Sequence, residues 1–239
     1  MIQLSVNLNK VALIRNSRGR DLPNLLQVAQ DCVRFGANGI TLHPRPDERH
    51  ARKQDIYELE PALRVELNVE GYPSEEFLQM IEKAQPAQCT LVPDPPEALT
   101  SNAGWDTLKH EGFLREVVAR IQRAGVRASI FIETDLARID KAREIGTDRV
   151  ELYTEHFASE YAKGNLQAVE PYAAAGQHAK AIGLGLNAGH DLNLDNLAFF
   201  AAHLPMLDEV SIGHALVCDA LYLGLEETIR RYQQCLGNA

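Results

Sequence analysis

The sequence predicts an α/β fold in which eight parallel strands close into a single (β/α)₈ TIM barrel, one domain over residues 1–239, and three observations predict it. Short β-type runs alternate from end to end with helical-period segments, which implies parallel strands joined by crossover helices. The alternation repeats for eight rounds within 239 residues, close to the usual length of one closed barrel. No linker, low-complexity run or composition shift divides the chain. An open, doubly wound sheet is the alternative, but no glycine fingerprint follows the first strand to support dinucleotide binding.

Each element has its own signal. Residues 2–6 read as the first strand and 22–35 as its amphipathic helix, with Pro23 near the first turn and Gly36 as the stop. Residues 39–42 form the second strand, 56–63 a helix and 65–69 the third strand. Ser74 opens the helix 75–84, and 89–92 is the fourth strand. The Pro-rich segment from Pro93 to Trp105 is too long for a routine connection and is a lid candidate. Helix 114–124 ends at Gly125, strand 128–132 follows, and helix 136–145 ends at Gly146. Strand 150–153 precedes a doubled helix, 156–161 and 166–182. Strand 184–186, helix 194–204, strand 209–212 and a closing helix 216–235 complete the eight rounds.

Composition narrows the function classes. A hydrophobic fraction of 45% and a charged fraction of 24% are globular averages. A net charge of -9 argues against a nucleic-acid surface while leaving room for a local basic pocket around a small anion. Cys32, Cys89, Cys218 and Cys235 form no C-x-x-C pair and read as structural thiols. No apolar window has membrane-spanning length and no signal-peptide pattern opens the chain, so no membrane partner and a cytoplasmic location are expected.

In a parallel barrel, residues just beyond each strand share one rim whatever their distance in sequence. After the second strand, proline stops the sheet at once, and a loop carries His43, Arg45, Asp47, Glu48, Arg49 and His50. Asn7, Asn9 and Lys10 follow the first strand, with Arg15 and Arg18 downstream; Asn68 and Glu70 end the third; Thr100 lies in the long loop. Glu133 and Asp135 read as helix caps. Glu151 alternates with apolar neighbours, so it points into the barrel or against a helix, in a structural pair or a catalytic role. Asn187, His190 and Asp191 follow the seventh strand, and Gly213 and His214 the eighth, where this architecture often binds phosphate on backbone N–H groups. With Arg18 and Arg45 to fork onto phosphate oxygens, the rim suits phosphorylated substrates, and its histidines with Glu70 supply acids and bases. No compact H-x-H or H-E-x-x-H spacing supports a metal, and neighbouring arginine would repel one.

These residues resemble the PdxJ family, the pyridoxine 5′-phosphate synthases of bacterial vitamin B6 synthesis, over essentially the whole chain. The carriers are Ser5-Val-Asn-Leu-Asn-Lys-Val-Ala-Leu-Ile-Arg-Asn-Ser-Arg-Gly19, Gly39-Ile-Thr-Leu-His-Pro-Arg-Pro-Asp-Glu-Arg-His50, Glu66-Leu-Asn-Val-Glu70, Thr90-Leu-Val-Pro93, Leu186-Asn-Ala-Gly-His190 and Ser211-Ile-Gly-His-Ala215. The resemblance implies a single catalytic (β/α)₈ barrel with extra helices, assembled as a homo-octamer with no metal and no organic cofactor. It also implies a transferase-class reaction joining 3-amino-2-oxopropyl phosphate to 1-deoxy-D-xylulose 5-phosphate, with pyridine-ring closure and release of inorganic phosphate and water. By the same resemblance His43 and Glu70 are proton acceptors, His190 the proton donor, and Glu151 the transition-state stabiliser. Asn7, Arg18, Asp191, Gly213 and His214 fall where the amino ketone phosphate is held; Arg45, His50 and Thr100 fall where the deoxyxylulose phosphate is held. Two departures stand out. Asn9 and Lys10 replace the Asp-His of many members, a version shared by a subgroup, and Asp191 stands where glycine is usual. A phosphosugar isomerase or epimerase on the same barrel and a non-catalytic phosphate-binding barrel are the alternative functions.

Overall fold

The computed structural model describes residues 1–94 and 103–238. Eight strands, β1 (Gln3–Asn7), β2 (Gly39–Leu42), β3 (Glu66–Gly71), β4 (Gln88–Leu91), β5 (Arg127–Ile132), β6 (Arg149–Tyr153), β7 (Gly185–Gly189) and β8 (Glu209–Ile212), follow chain order round a closed barrel. β1 pairs in parallel with β8, Leu4 opposite Val210 and Ser5 opposite Ser211, which excludes the open sheet.

Alternation along the strands sorts the side chains between two environments. Leu4 and Val6, Ile40 and Leu42, Val150 and Leu152, and Val210 and Ile212 are all buried and belong to the apolar cluster that includes the helices. The residues at the opposite phase, Ser5, Thr41, Asn68, Thr90, Ser129, Glu151, Asn187 and Ser211, are also buried but polar. Ser5 and Thr41 share a hydrogen bond of 2.7 Å, and Thr90 donates to Asn68 at 3.0 Å. The interior therefore departs from the branched apolar layers usual in this architecture. Each apolar side chain in the outer layer contributes about 1.5–3 kcal/mol, against about 0.5–1.5 kcal/mol net for an interior hydrogen bond. Stability rests chiefly between strands and helices.

Helix starts follow the expected chemistry where a capping side chain is present. Asn24 accepts from Gln27 N–H at the start of α2 (Leu25–Arg34), which begins the helix later than residue 22 and leaves Pro23 ahead of the cap. Ser74 caps α4 (Glu75–Ala84) through Phe77 N–H, and Asp135 caps α6 (Leu136–Ile145) through Arg138 N–H. Between α2 and α4, α3 (Lys53–Leu59) begins earlier than residue 56 because Asp55 accepts the N–H of Arg52 across the first turn. The helix before α6 is α5 (Glu111–Arg123); after it come α7 (Glu155–Ala162), a 3-10 turn (Leu166–Val169) and α8 (Glu170–Ala181), the doubled helix expected, and then α9 (Leu197–His203).

Three differences reshape the expectations. The segment after β1 is helical, α1 (Asn9–Asn16), where only rim residues are expected from the sequence. The closing helix is two, α10 (His214–Leu223) and α11 (Leu225–Cys235), separated by Gly224 at φ +80, a conformation open to glycine and disfavoured for side chains. Arg15 is not on the rim: its buried guanidinium forks onto Asp55 at 2.6 and 3.0 Å and joins α1 to α3. Beside it, Asn16 donates to the carbonyls of Glu48, Arg49 and His50, which fixes the loop after β2. Cys32 and Cys89 are buried, and all four thiols are free. No helix among the described residues is long and apolar enough to cross a membrane.

Candidate active site

A cavity of about 530 Å³ opens at the carboxyl ends of the strands. Its lining brings together Asn7, Asn9 and Lys10 from β1 and α1, His43, Arg45 and His50 from the loop after β2, Glu70 from β3 and Glu151 from β6. His190 and Asp191 after β7, and Gly213 and His214 after β8, join them. Two expected residues are not among them. Arg18 is exposed in the turn after α1 and does not line the cavity, so the fold of this chain by itself does not bring it to the site. Thr100 lies outside the described residues, as does most of the expected lid; at the lid's far end Trp105 is buried and stacks on Tyr72 at 6.0 Å.

Backbone geometry explains why these side chains fit. A Cβ at Gly189 would stand 2.7 Å from Glu151 Oε1 and 3.0 Å from the Ser211 carbonyl oxygen, so glycine there is what admits the Glu151 carboxyl. At Gly213 a Cβ would stand 3.0 Å from Asn7 Cβ. Asn9 Oδ1 accepts the N–H of His43 at 2.9 Å, and Asn9 N–H donates to Asn7 Oδ1 at 3.0 Å. Asn9 thus ties the start of α1 to the end of β2, and Asn7 in turn donates to Glu70 Oε2 at 3.4 Å. Arg45 donates to Asp94 at 2.9 Å, both buried. No side chain among the described residues caps α10, whose first turn begins at the cavity residue His214.

The ionisable groups are biased in different directions. Burial, reinforced by Arg45, His50 and Arg49, holds the His43 imidazole well below its ordinary value and therefore neutral near pH 7. His50 is lowered to about 4 by burial and by Arg45, Lys10 and Arg49, and its Nδ1 accepts from Ala51 N–H. His190 moves the other way. Burial opposes its charge, but the 2.5 Å contact of Nδ1 with Asp191 Oδ2 and the charges of Asp191, Glu70 and Asp94 raise it overall. Glu70, 3.9 Å from His43 Nδ1, is raised to about 7, first by burial and then by Asp94 and Glu209, against the lowering influence of His190 and Arg45. Glu151 is raised well above the carboxylate range by burial and by Glu70 and Glu209, with Thr90 donating to it at 3.4 Å. An imidazole biased toward its neutral form, one biased toward its protonated form, a carboxyl poised near neutrality and a second carboxyl biased toward its acid form therefore share one cavity, an arrangement suited to proton transfer in both directions.

Leu13, Val92, Phe131 and Ser211 also line the cavity and are absent from the expected set; Arg49, which the sequence places on the loop after β2 without a role, lines it too. Phe131 lies opposite Glu151 in the strand register, and Ser211 opposite Gly189, so inward phase along β5 and β8 was the signal that could have found them. Asp94, a partner of Arg45, sits in the Pro-rich segment that the sequence marks as a lid candidate, without a role of its own.

Residues 4–238 match the family model described as "Pyridoxal phosphate biosynthesis protein PdxJ". A pyridoxine 5′-phosphate synthase of Porphyromonas gingivalis is 58% identical over 236 residues, 99% of each chain. One of Bacteroides fragilis is 56% identical over 99% of this chain and 100% of its own. Among solved structures, phosphoribosyl anthranilate isomerase of Thermotoga maritima superposes with a TM-score of 0.65 at 12% identity over 100% of both chains, a likeness of fold alone. The thiamine phosphate pyrophosphorylase of Pyrococcus furiosus does so at 0.62 and 11%, over 99% of this chain and 96% of its own. Matched almost end to end by one family model and by relatives above half identity, the chain belongs to the PdxJ family.

Proposed function

We propose that the protein is a pyridoxine 5′-phosphate synthase, a transferase whose 239 residues act as one catalytic domain. It joins 3-amino-2-oxopropyl phosphate to 1-deoxy-D-xylulose 5-phosphate, closes the pyridine ring and releases inorganic phosphate and water. The observation that carries this is the cavity itself, in which His43, Glu70, His190 and Glu151 meet with opposed protonation biases. The amine must attack a ketone, the imine must lose protons and water, and the ring must close. Each step moves a proton and none needs an electron acceptor.

In this proposal neutral His43 and the Glu70 carboxylate accept protons during imine formation and ring closure, and protonated His190 donates to a departing hydroxyl. Glu151, as a neutral acid, donates a hydrogen bond to negative charge as it develops. The phosphate of the amino ketone is assigned to Asn7, Gly213, His214 and the uncapped first turn of α10, where N–H groups and the helix dipole favour an anion. The deoxyxylulose phosphate is assigned to Arg45 and His50, with Lys10 and Asn9 beside them. Holding both anions would bring amine and ketone into near-attack geometry.

A homo-octamer is part of the proposal, supported by apolar surface on α10 that awaits cover: Leu221 and Tyr222 are 75% and 91% exposed. Light scattering on the purified protein checks it. The proposed location is the cytoplasm, where phosphorylated metabolites are retained. The function is tested by supplying both phosphates and following pyridoxine 5′-phosphate by mass spectrometry. Product is expected only when both are present; rearrangement of deoxyxylulose phosphate alone, or binding without turnover, overturns the proposal.

A further inference from the structure

We propose that Asp191 is a positioning residue: its carboxylate grips His190 Nδ1, fixes the ring, and makes the opposite nitrogen, Nε2, the one that delivers a proton. The inference deepens the proposed function and rests on it for the identity of the reaction, though not for the pair itself. Asp191 Oδ2 lies 2.5 Å from His190 Nδ1, a short charge-assisted hydrogen bond. His190 holds φ +93, a conformation that side chains seldom adopt and that costs about 1–3 kcal/mol, so its surroundings must hold it there.

Those surroundings are visible. Tyr153, from β6, meets the His190 ring edge-on at 5.1 Å and 82°, which limits its rotation. Asn196 Nδ2 donates to the Asp191 carbonyl at 3.3 Å and Asn196 Oδ1 accepts from Asn193 N–H at 2.9 Å, so a built turn backs the aspartate. The charged and titratable groups facing the pair are Glu70 from β3, Asp94 after β4, Tyr153 from β6 and, toward Asp191, His214 from α10. A carboxylate aimed at a substrate phosphate would repel it, whereas aimed at an imidazole it keeps that ring charged and oriented. The pairing also lowers Asp191 itself, as a partner of a cation should.

The test is to titrate His190 in protein carrying ¹³C-labelled histidine, with the His190→Gln spectrum identifying its signal. In Asp191→Asn, which keeps an acceptor but not the charge, the His190 midpoint is expected to fall by about one pH unit or more. Turnover with both substrates is expected to fall about 10- to 100-fold with KM little changed, the alkaline limb of kcat moving to lower pH. Asp191→Glu should restore part of both effects. An unchanged His190 midpoint, or a raised KM with kcat intact, overturns the inference; the latter would make Asp191 a substrate contact. Should the variants fold poorly, the unsubstituted protein still decides, since a far-downfield Nδ1 proton resonance is expected and its absence counts against the pair. The titration needs no turnover, so a protein without synthase activity but with the pair intact would defeat the proposed function and leave this inference standing.

Discussion

At the amino ends of the strands Arg127 forks onto Glu66 and donates to Gln88 at 2.9 Å, and Arg149 donates to Asn187 at 3.1 Å. At the carboxyl ends, Glu70 receives an amide and Glu151 a hydroxyl, each at 3.4 Å. The chemistry available to the two mouths is similar, but the guanidinium below fixes charge. Glu66 is held below the ordinary carboxylate range by its bond to Arg127, whereas Glu70 rises to about 7 and Glu151 is raised well above that range. Glu209 sharpens the contrast. It starts a strand at the lower mouth, yet burial lifts it to about 7 despite Arg149, so enclosure without a direct guanidinium fork is what makes a carboxyl titratable here. Structure and chemistry divide along that line.

The largest expected effect breaks the upper mouth. Glu70→Gln should lower turnover about 10²- to 10⁴-fold, the range of a lost general base, while calorimetry shows substrate affinity nearly unchanged. A comparable loss of affinity would mean that Glu70 only binds. Next comes the fully matched pair outside the cavity. Asp55→Ala leaves Arg15 buried and unpaired, and denaturant unfolding should register about 3–5 kcal/mol of destabilisation. Gly189→Ala falls between the two kinds of effect. Its Cβ would press on Glu151 Oε1, so about 1–3 kcal/mol of stability should be lost together with turnover, both measured on one preparation. Smallest is Glu66→Gln at the lower mouth, an exposed pair expected to change stability by no more than about 1 kcal/mol and turnover by less than twofold. If Glu66→Gln harmed catalysis as Glu70→Gln does, the distinction between the mouths would fail.

Much of this was legible in sequence, for identifiable reasons. Strands β2 and β8 carry the bounds read from sequence because short apolar runs end at once in Pro or Gly. The rim residues were accessible because closure of the barrel gathers every strand end at one mouth. Helix α1 was not, since buried Val11 and Ala12 are followed directly by exposed Leu13 and Ile14, which leaves no clean helical stripe. The division of the last helix was hidden for a related reason: α10 is apolar almost throughout, so Gly224 looked like one small residue in a continuous run. Arg15 reads as one more residue downstream of the first strand until its partner Asp55, forty positions away, is seen beside it. The polarity of the barrel interior was only half visible, with Glu151 left between two faces until the Thr90 bond and the space at Gly189 placed it inside.

The contrast between the mouths is tested most directly by titrating Glu70 in protein labelled with ¹³C at the glutamate carboxyl, assigned by comparison with Glu70→Gln. A midpoint of about 7 is expected, with kcat/KM rising through the same interval as the carboxyl loses its proton and becomes a base. A midpoint at about 4.3, that of a solvated glutamate, would contradict it.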